Sequence, residues 1–239
     1  MSLPDAAILC GGLATRLGSL AAQTPKALIE VAGRPFLDHQ LRRVASQGVR
    51  RVVLCTGHLS EQIEAFVGDG SAWGLQARVS RDPVPPLGTG GALRKALPLL
   101  SDPFFVLYGD SWLEAPWAPA LRVFEAAQPQ ALALMTVVEN AGRWDRSNVR
   151  FEAGRIADYD KAASAPEYRH ADYGLGLLAH AAFDAQGAAR FDLAELYRAL
   201  VLQGKLAGHD TGERFWEIGS AAGLEETRAR IAWARNQEV

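Results

Sequence analysis

The sequence predicts an α/β fold, a mainly parallel, mixed sheet flanked by helices, and three observations carry that prediction. Short apolar runs alternate with amphipathic stretches through the first half of the 239-residue chain, the pattern of strands joined by crossover helices. From about residue 130 the runs are separated by polar segments with fewer helices between them, as in a sheet that turns mixed. Hydrophobic residues make up 49% of the chain, which suits one large core better than two small ones.

The elements follow in order. AAILC at 6–10 reads as a buried strand, and 35–47, opened by Pro35 and closed by Gly48, as the helix after it. RVVLCT at 51–56 is the second strand. A helix over 60–67, a strand over 77–80, a helix over 91–100 and the strand FFVLYG at 104–109 complete this half. Beyond it ALALMTVV, NVRF, RIADY and GLGLLA read as strands, and 192–203 and 221–235 as helices, the first capped by Asp192. No internal repeat, low-complexity tract or linker divides the chain.

Charge and cysteine usage narrow the function classes. Twenty-five Lys and Arg against 27 Asp and Glu give a net charge of −2, so no overall field draws the chain to nucleic acid or to an anionic membrane. Any anion must be held by a local site. Cys10 and Cys55 lie in apolar runs without metal-ligand spacing, as buried thiols of a reducing compartment do. Neither a signal peptide nor a membrane span is recognisable, so a cytoplasmic location is expected.

A glycine-rich segment, GGLATRLGSLAAQTPKALIEV at 11–31, follows the first strand directly. A loop at the carboxyl end of a parallel strand is where α/β proteins bind ligands. Gly11 and Gly12 remove the Cβ atoms that would keep backbone N–H groups from a triphosphate. Arg16 supplies a planar fork and Lys26 a compact charge. Neither GxGxxG nor GxxxxGK[ST] occurs, which argues against a dinucleotide dehydrogenase or a P-loop NTPase.

The order G-G-x-x-T-R, a spacer and P-K resembles the signature of the sugar-1-phosphate nucleotidyltransferases, with Ala14 where that family usually has glycine. Five further segments match in the family's order, over about residues 5–230. PLGTGGALRKAL at 86–97 resembles the base-side loop, where Gly88, Gly90 and Gly91 would let a flat base approach the backbone. FVLYGDSW resembles the strand ending in Gly-Asp, which implies that Asp110 holds magnesium. FWEIGSAAGLEET is similar to the segment that returns a second carboxylate, here Glu217. YDK and DYGLG resemble the sugar-site segments, implying Lys161 on the sugar phosphate, Asp172 on sugar hydroxyls and Gly174 under the ring, with Asn148 as a further polar contact.

The resemblance implies a short, single-domain, glycosyltransferase-A-like protein spanning 1–239, with a nucleotide-binding lobe over about 1–128 and a sugar-phosphate lobe over about 129–239. Leu9, Gly11, Gly12, Thr15, Arg16, Lys26, Asp82, Gly88 and Thr89 would hold the nucleotide. Arg16, Lys26, Asp110 and Lys161 would act in catalysis, with Mg²⁺ on Asp110 and Glu217. The implied reaction joins a nucleoside triphosphate to a sugar 1-phosphate and releases pyrophosphate. Arg81 and Asp82 are the candidates for reading base edges, and a carboxylate able to pair with guanine leans the reading to GTP with mannose or heptose 1-phosphate. UTP or CTP with a sugar phosphate or phosphocholine, and a nucleotide-sugar sensor without turnover, are the alternatives. Assembly as a homo-oligomer is open.

Overall fold

The computed structural model describes residues 3–12, 23–163 and 165–237. It begins with β1 (Ala6–Leu9), a 3-10 turn at Lys26–Leu28 and the short strands β2 (Glu30–Val31) and β3 (Arg34–Pro35). Then come α1 (Phe36–Ser46), β4 (Arg51–Thr56), α2 (Ser60–Val67), β5 (Gln76–Arg81), α3 (Gly88–Ala96), β6 (Phe104–Tyr108) and β7 (Ser111–Leu113). The second half holds α4 (Ala118–Ala127), β8 (Ala133–Glu139), β9 (Val149–Glu152), β10 (Arg155–Tyr159) and β11 (His170–Leu178). It closes with α5 (Leu193–Leu202), β12 (Leu206–Asp210), β13 (Phe215–Glu217) and α6 (Ala221–Gln237).

Nine strands form one sheet in the order β5-β4-β1-β6-β11-β8-β12-β10-β9. The strands β5, β4, β1 and β6 run parallel. β11 is antiparallel to both β6 and β8, while β12 is parallel to β8, so the sheet is mixed as expected. The chain lays β4 and β5 on one side of β1 and then returns to place β6 on the other. That reversal opens a crevice outside the carboxyl ends of β1 and β6.

Burial explains the layers. β1 has Ala6 and Ile8 facing a core shared with α1, α2 and α4, and Ala7 facing a core shared with α3 and α5. Leu37, Leu41 and Val44 form the buried stripe of α1, each fully buried and each contributing about 1.5–3 kcal/mol. Gly48, at φ 91°, ends that helix in the left-handed region. Leu224, Thr227 and Ile231 form one face of α6; the two aliphatic side chains close a third cluster with Val31 of β2 and Phe36 of α1.

Three expectations needed correction. α3 starts at Gly88 rather than Gly91 and ends at Ala96, where Pro98 turns the chain into a 3-10 segment at Leu97–Leu99. β11 starts at His170, four residues before the expected Gly174, with a register shift between Asp172 and Gly176. α4 and β12 were not foreseen: Pro119 reads as a breaker but sits in the first helical turn, and Gly208 reads as a turn but is a strand residue. A Cβ on Gly208 would lie 2.6 Å from Phe151 Cε2, so the glycine lets that ring lie on β12.

Candidate active site

The crevice is a cleft of about 630 Å³, large enough for a nucleotide and more. Its floor is set by one close approach. Gly109 N donates to Leu9 O at 3.1 Å, and a Cβ at Gly109 would lie 2.4 Å from that oxygen. Only glycine lets the ends of β1 and β6 meet so tightly, which brings Leu9, Gly11 and Asp110 onto one wall. Among the described residues a Cβ on Gly12 would meet nothing within 4 Å, and Gly12 lines the cleft. Thr15 and Arg16 lie outside the described residues.

Lys26, at the start of its 3-10 turn, points Nζ to within 2.6 Å of Asp110 Oδ2, with side chains 14% and 35% exposed. The sequence reading set these two residues at different tasks; the structure joins them in one ion pair. The other Asp110 oxygen meets only Ser111 Oγ, at 3.5 Å, among the described residues. Glu217 lies alongside through its backbone, since Ile218 N donates to Asp110 O at 2.9 Å. Its carboxylate accepts from Gly219 N and, at 2.6 Å, from Ser220 Oγ at the start of α6. Among the described residues no group of three His, Cys, Asp or Glu is gathered as a metal cage.

On the base side, Asp82 follows β5 and receives Leu87 N on Oδ2 at 3.1 Å. Asp82 Oδ1 is buried with no partner among the described residues. Burial raises the Asp82 pKa above the ordinary carboxylate value, against the hydrogen bond from Leu87. Arg81 departs from expectation: its guanidinium pairs with Glu61 at 2.7 Å and Glu64 at 2.9 Å, away from the cleft lining.

The base-loop glycines also act differently from the expected open shelf. Cβ atoms on Gly88, Gly90 and Gly91 would lie 2.6 Å from Phe191 O, 2.3 Å from Phe191 Cε2 and 2.8 Å from Ala189 O. These positions are bare so that residues 189–191 can pack onto α3. Gly88 and Thr89 nonetheless line the cleft, and Thr89 Oγ1 accepts from Leu193 N at 2.8 Å. The packed segment delivers Arg190 and Asp192 to the cleft wall. Sequence reasoning missed Arg190; the only signal for it was a cation just before a capped helix.

From the second lobe Lys161 reaches the same cleft. Its neighbour Asp160 pairs with Arg198 instead of with it. Asn148, Asp172 and Gly174 do not line that cleft. Asn148 Oδ1 accepts from Asp172 N at 2.9 Å, and Asp172 Oδ2 accepts from Tyr108 Oη at 2.7 Å. Burial raises the Asp172 pKa, and the bond from Tyr108, whose ring does line the cleft, opposes that rise. Gly174, at φ 89°, packs against Ser111, whose Oγ would lie 3.1 Å from an added Cβ. These three residues brace Tyr108 and β11 rather than forming an open sugar shelf.

The profile of the MobA-like NTP transferase domain matches residues 6–191, which include every described cleft residue named above except the α6-side Gly219 and the helix cap Asp192. The chain belongs to the MobA-like NTP transferase domain family. It is 28% identical over 235 residues to an N-acetylmuramate alpha-1-phosphate uridylyltransferase of Neisseria meningitidis, covering 95% of this chain and 99% of that one. A 107-residue stretch, 44% of this chain and 30% of the relative, is 43% identical to a mannose-1-phosphate guanylyltransferase of Mycobacterium tuberculosis. In fold the chain resembles the inositol-1-phosphate CTP transferase of T. maritima, with a TM-score of 0.79, 21% identity and 97% of each chain covered. HddC of Yersinia pseudotuberculosis complexed with GMP-PN gives 0.77, with 20% identity over 96% of this chain and 100% of that one.

Two further features bear on chemistry in this NTP transferase domain. Cys10 and Cys55 are buried free thiols whose pKa values burial pushes up, Cys55 to about 12, which leaves them inert. Among the described residues no helix is long and apolar enough to cross a membrane.

Proposed function

We propose that the chain transfers a uridylyl group from UTP to a sugar 1-phosphate, giving a UDP-sugar and pyrophosphate. The observation that carries this reading is the cleft that glycine backbone and the Lys26–Asp110 pair share with Lys161 and Arg190. A sugar phosphate is already anionic near neutral pH, so the protein needs no nucleophile of its own; it must align two anions and offset their repulsion. A phosphate oxygen of the sugar 1-phosphate attacks the α-phosphorus in line, and the bond from that phosphorus to the β-phosphate bridge breaks. Gly11, Gly12 and Lys26, with Arg16, hold the triphosphate side; Lys161 and Arg190 hold the incoming phosphate.

Asp110 suits Mg²⁺, because a half-exposed carboxylate with one lightly engaged oxygen is the donor a hard cation takes, commonly one or two carboxylates with substrate phosphates and water. Bound there, the ion would spread the negative charge of the reacting phosphates. Glu217 would join it only after leaving its α6 contacts.

UTP is favoured by the full-length uridylyltransferase relative and by Asp82. With Oδ2 given to Leu87, one free oxygen remains, and uracil offers one edge N–H, at N3. Guanine offers two adjacent donors and would use both oxygens. GTP with mannose 1-phosphate is the second reading, favoured by the stretch at 43% identity. The buried free thiols fit a cytoplasmic enzyme. The test is pyrophosphate release with four triphosphates against a panel of sugar 1-phosphates, with and without a chelator. UTP with N-acetylmuramate α-1-phosphate should be fastest and metal-dependent; greatest release with GTP would favour the second reading, and no release from any pair would end both.

A further inference from the structure

Residues 186–190 have no regular secondary structure, yet they carry Arg190 to the cleft wall. Downstream the segment is fixed by main chain: Gly90 N and Gly91 N donate to Phe191 O at 3.0 and 3.1 Å, and Phe191 N donates to Leu87 O at 3.0 Å. Upstream, Gln186 N donates to Phe183 O at 3.1 Å, and beyond that bond one side chain holds the segment. Arg94 of α3 donates from Nη1 to Gln186 O at 2.7 Å and from Nη2 to Ala188 O at 2.8 Å, and its guanidinium carbon lies 5.1 Å from the Phe191 ring centroid. Among the described residues, no other side chain hydrogen-bonds to 186–190. Arg190 therefore stands between a main-chain anchor at 191 and an arginine clamp at 186–188.

We propose that Arg94 is a positioning residue, which acts on the transfer reaction by clamping the segment that presents Arg190 to the incoming sugar phosphate. The inference rests on the reading of the cleft given above. Arg94 does not itself line the cleft; it lies on the helix whose first turn, Gly88 and Thr89, borders the nucleotide side. It thereby ties the sugar-phosphate cation to the nucleotide-side helix. The geometry needs a fork: a planar guanidinium reaches two carbonyls and stacks on a ring, whereas an ammonium is a point charge that serves one carbonyl at a time.

The experiment has two arms. In the first, hydrogen exchange at amides 186–190 is compared in the wild-type chain and Arg94→Met. The released segment should exchange faster while β1 and β6 stay protected; unchanged exchange at 186–190 would overturn the proposal. This arm needs no turnover, so it judges the clamp even if the proposed reaction fails in the wild type. In the second, Arg94→Met should raise KM for the sugar 1-phosphate about fivefold, as expected if the competent fraction of Arg190 falls to about a fifth, with kcat and KM for UTP little changed. Arg94→Lys should recover part of the loss. Added to Arg190→Ala, Arg94→Met should cost nothing more, because both act through one group. Full additivity, or equal damage to both substrates with a lowered Tm, would mean that Arg94 is only a structural contact.

Discussion

A buried carboxylate oxygen without a partner costs stability, and among the described residues Asp82 Oδ1 has none. Burial raises the Asp82 pKa, so the folded chain keeps that proton to a higher pH than the unfolded chain does. Stability from this group is therefore highest below the unfolded value of about 3.9 and falls as pH rises through the folded one. At neutral pH the whole penalty applies. Asp82→Asn should raise stability in urea titrations at neutral pH by about 1 kcal/mol, lose that gain near the unfolded pKa, and weaken use of the triphosphate. A neutral-pH loss of stability would show that Asp82 Oδ1 has a partner.

The proposed mechanism separates Lys161 from the Lys26–Asp110 pair by the side of the reaction each would serve. Lys161→Ala should lower kcat/KM for the sugar phosphate by about 2 kcal/mol while leaving that for UTP nearly intact. Asp110→Asn should instead lower kcat for any substrate pair about a hundredfold or more. Steady-state kinetics with each substrate varied in turn distinguishes them. Equal effects on both substrates from Lys161→Ala would remove the assignment of sides.

Among the elements, the seam between α3 and the segment before α5 depends most on residue size. A Cβ at Gly90 would meet the Phe191 ring at 2.3–2.4 Å, and the ring is packed among Ala92, Leu93 and Leu196 in one cluster. Gly90→Ala should cost about 1–3 kcal/mol by overpacking, read as a lower urea midpoint, and Phe191→Ala on that background should cost less than it does alone. Asp192 caps α5 in a box with Glu195 and also meets Thr89 Oγ1 at 3.3 Å. Removing it should cost about 1 kcal/mol of cap energy. The cap was legible because Asp and Glu three residues apart announce it. The seam was not, because a run of bare glycines looks the same whether a base or a phenyl ring covers it.

Across the whole molecule, the parallel half could be read almost strand by strand, since β1, β4 and β6 are short apolar runs separated by helices with glycine or proline at their ends, and β5 alternates Ala77 and Val79 with polar residues. The second half was less legible because its strands take tertiary cues: β12 contains a glycine explained by Phe151 and Ile156 packing over it, and β11 extends through polar His170 and Asp172. The cleft shows the same division. Gly11, Gly12 and Lys26 came from the glycine-rich loop and its spacing, Asp110 and Lys161 from the family resemblance, and all five line it. Arg190 was not, and Asn148, Asp172 and Gly174 were given substrate roles although each is engaged by its own neighbours. Local spacing identifies groups on one loop; it does not reveal which polar groups neutralise each other after a crossover.

The central claim is that one cleft joins a nucleotidyl group to a sugar phosphate without a protein-bound intermediate. Phosphorus NMR of the purified chain with UTP, Mg²⁺ and N-acetylmuramate α-1-phosphate tests it most directly. The account predicts coupled diphosphate doublets of a nucleotide-sugar growing in equal amount with free pyrophosphate, and neither signal from Asp110→Asn on the same timescale. Inorganic phosphate as the product, or UTP and sugar phosphate standing unchanged beside a folded chain, would contradict it.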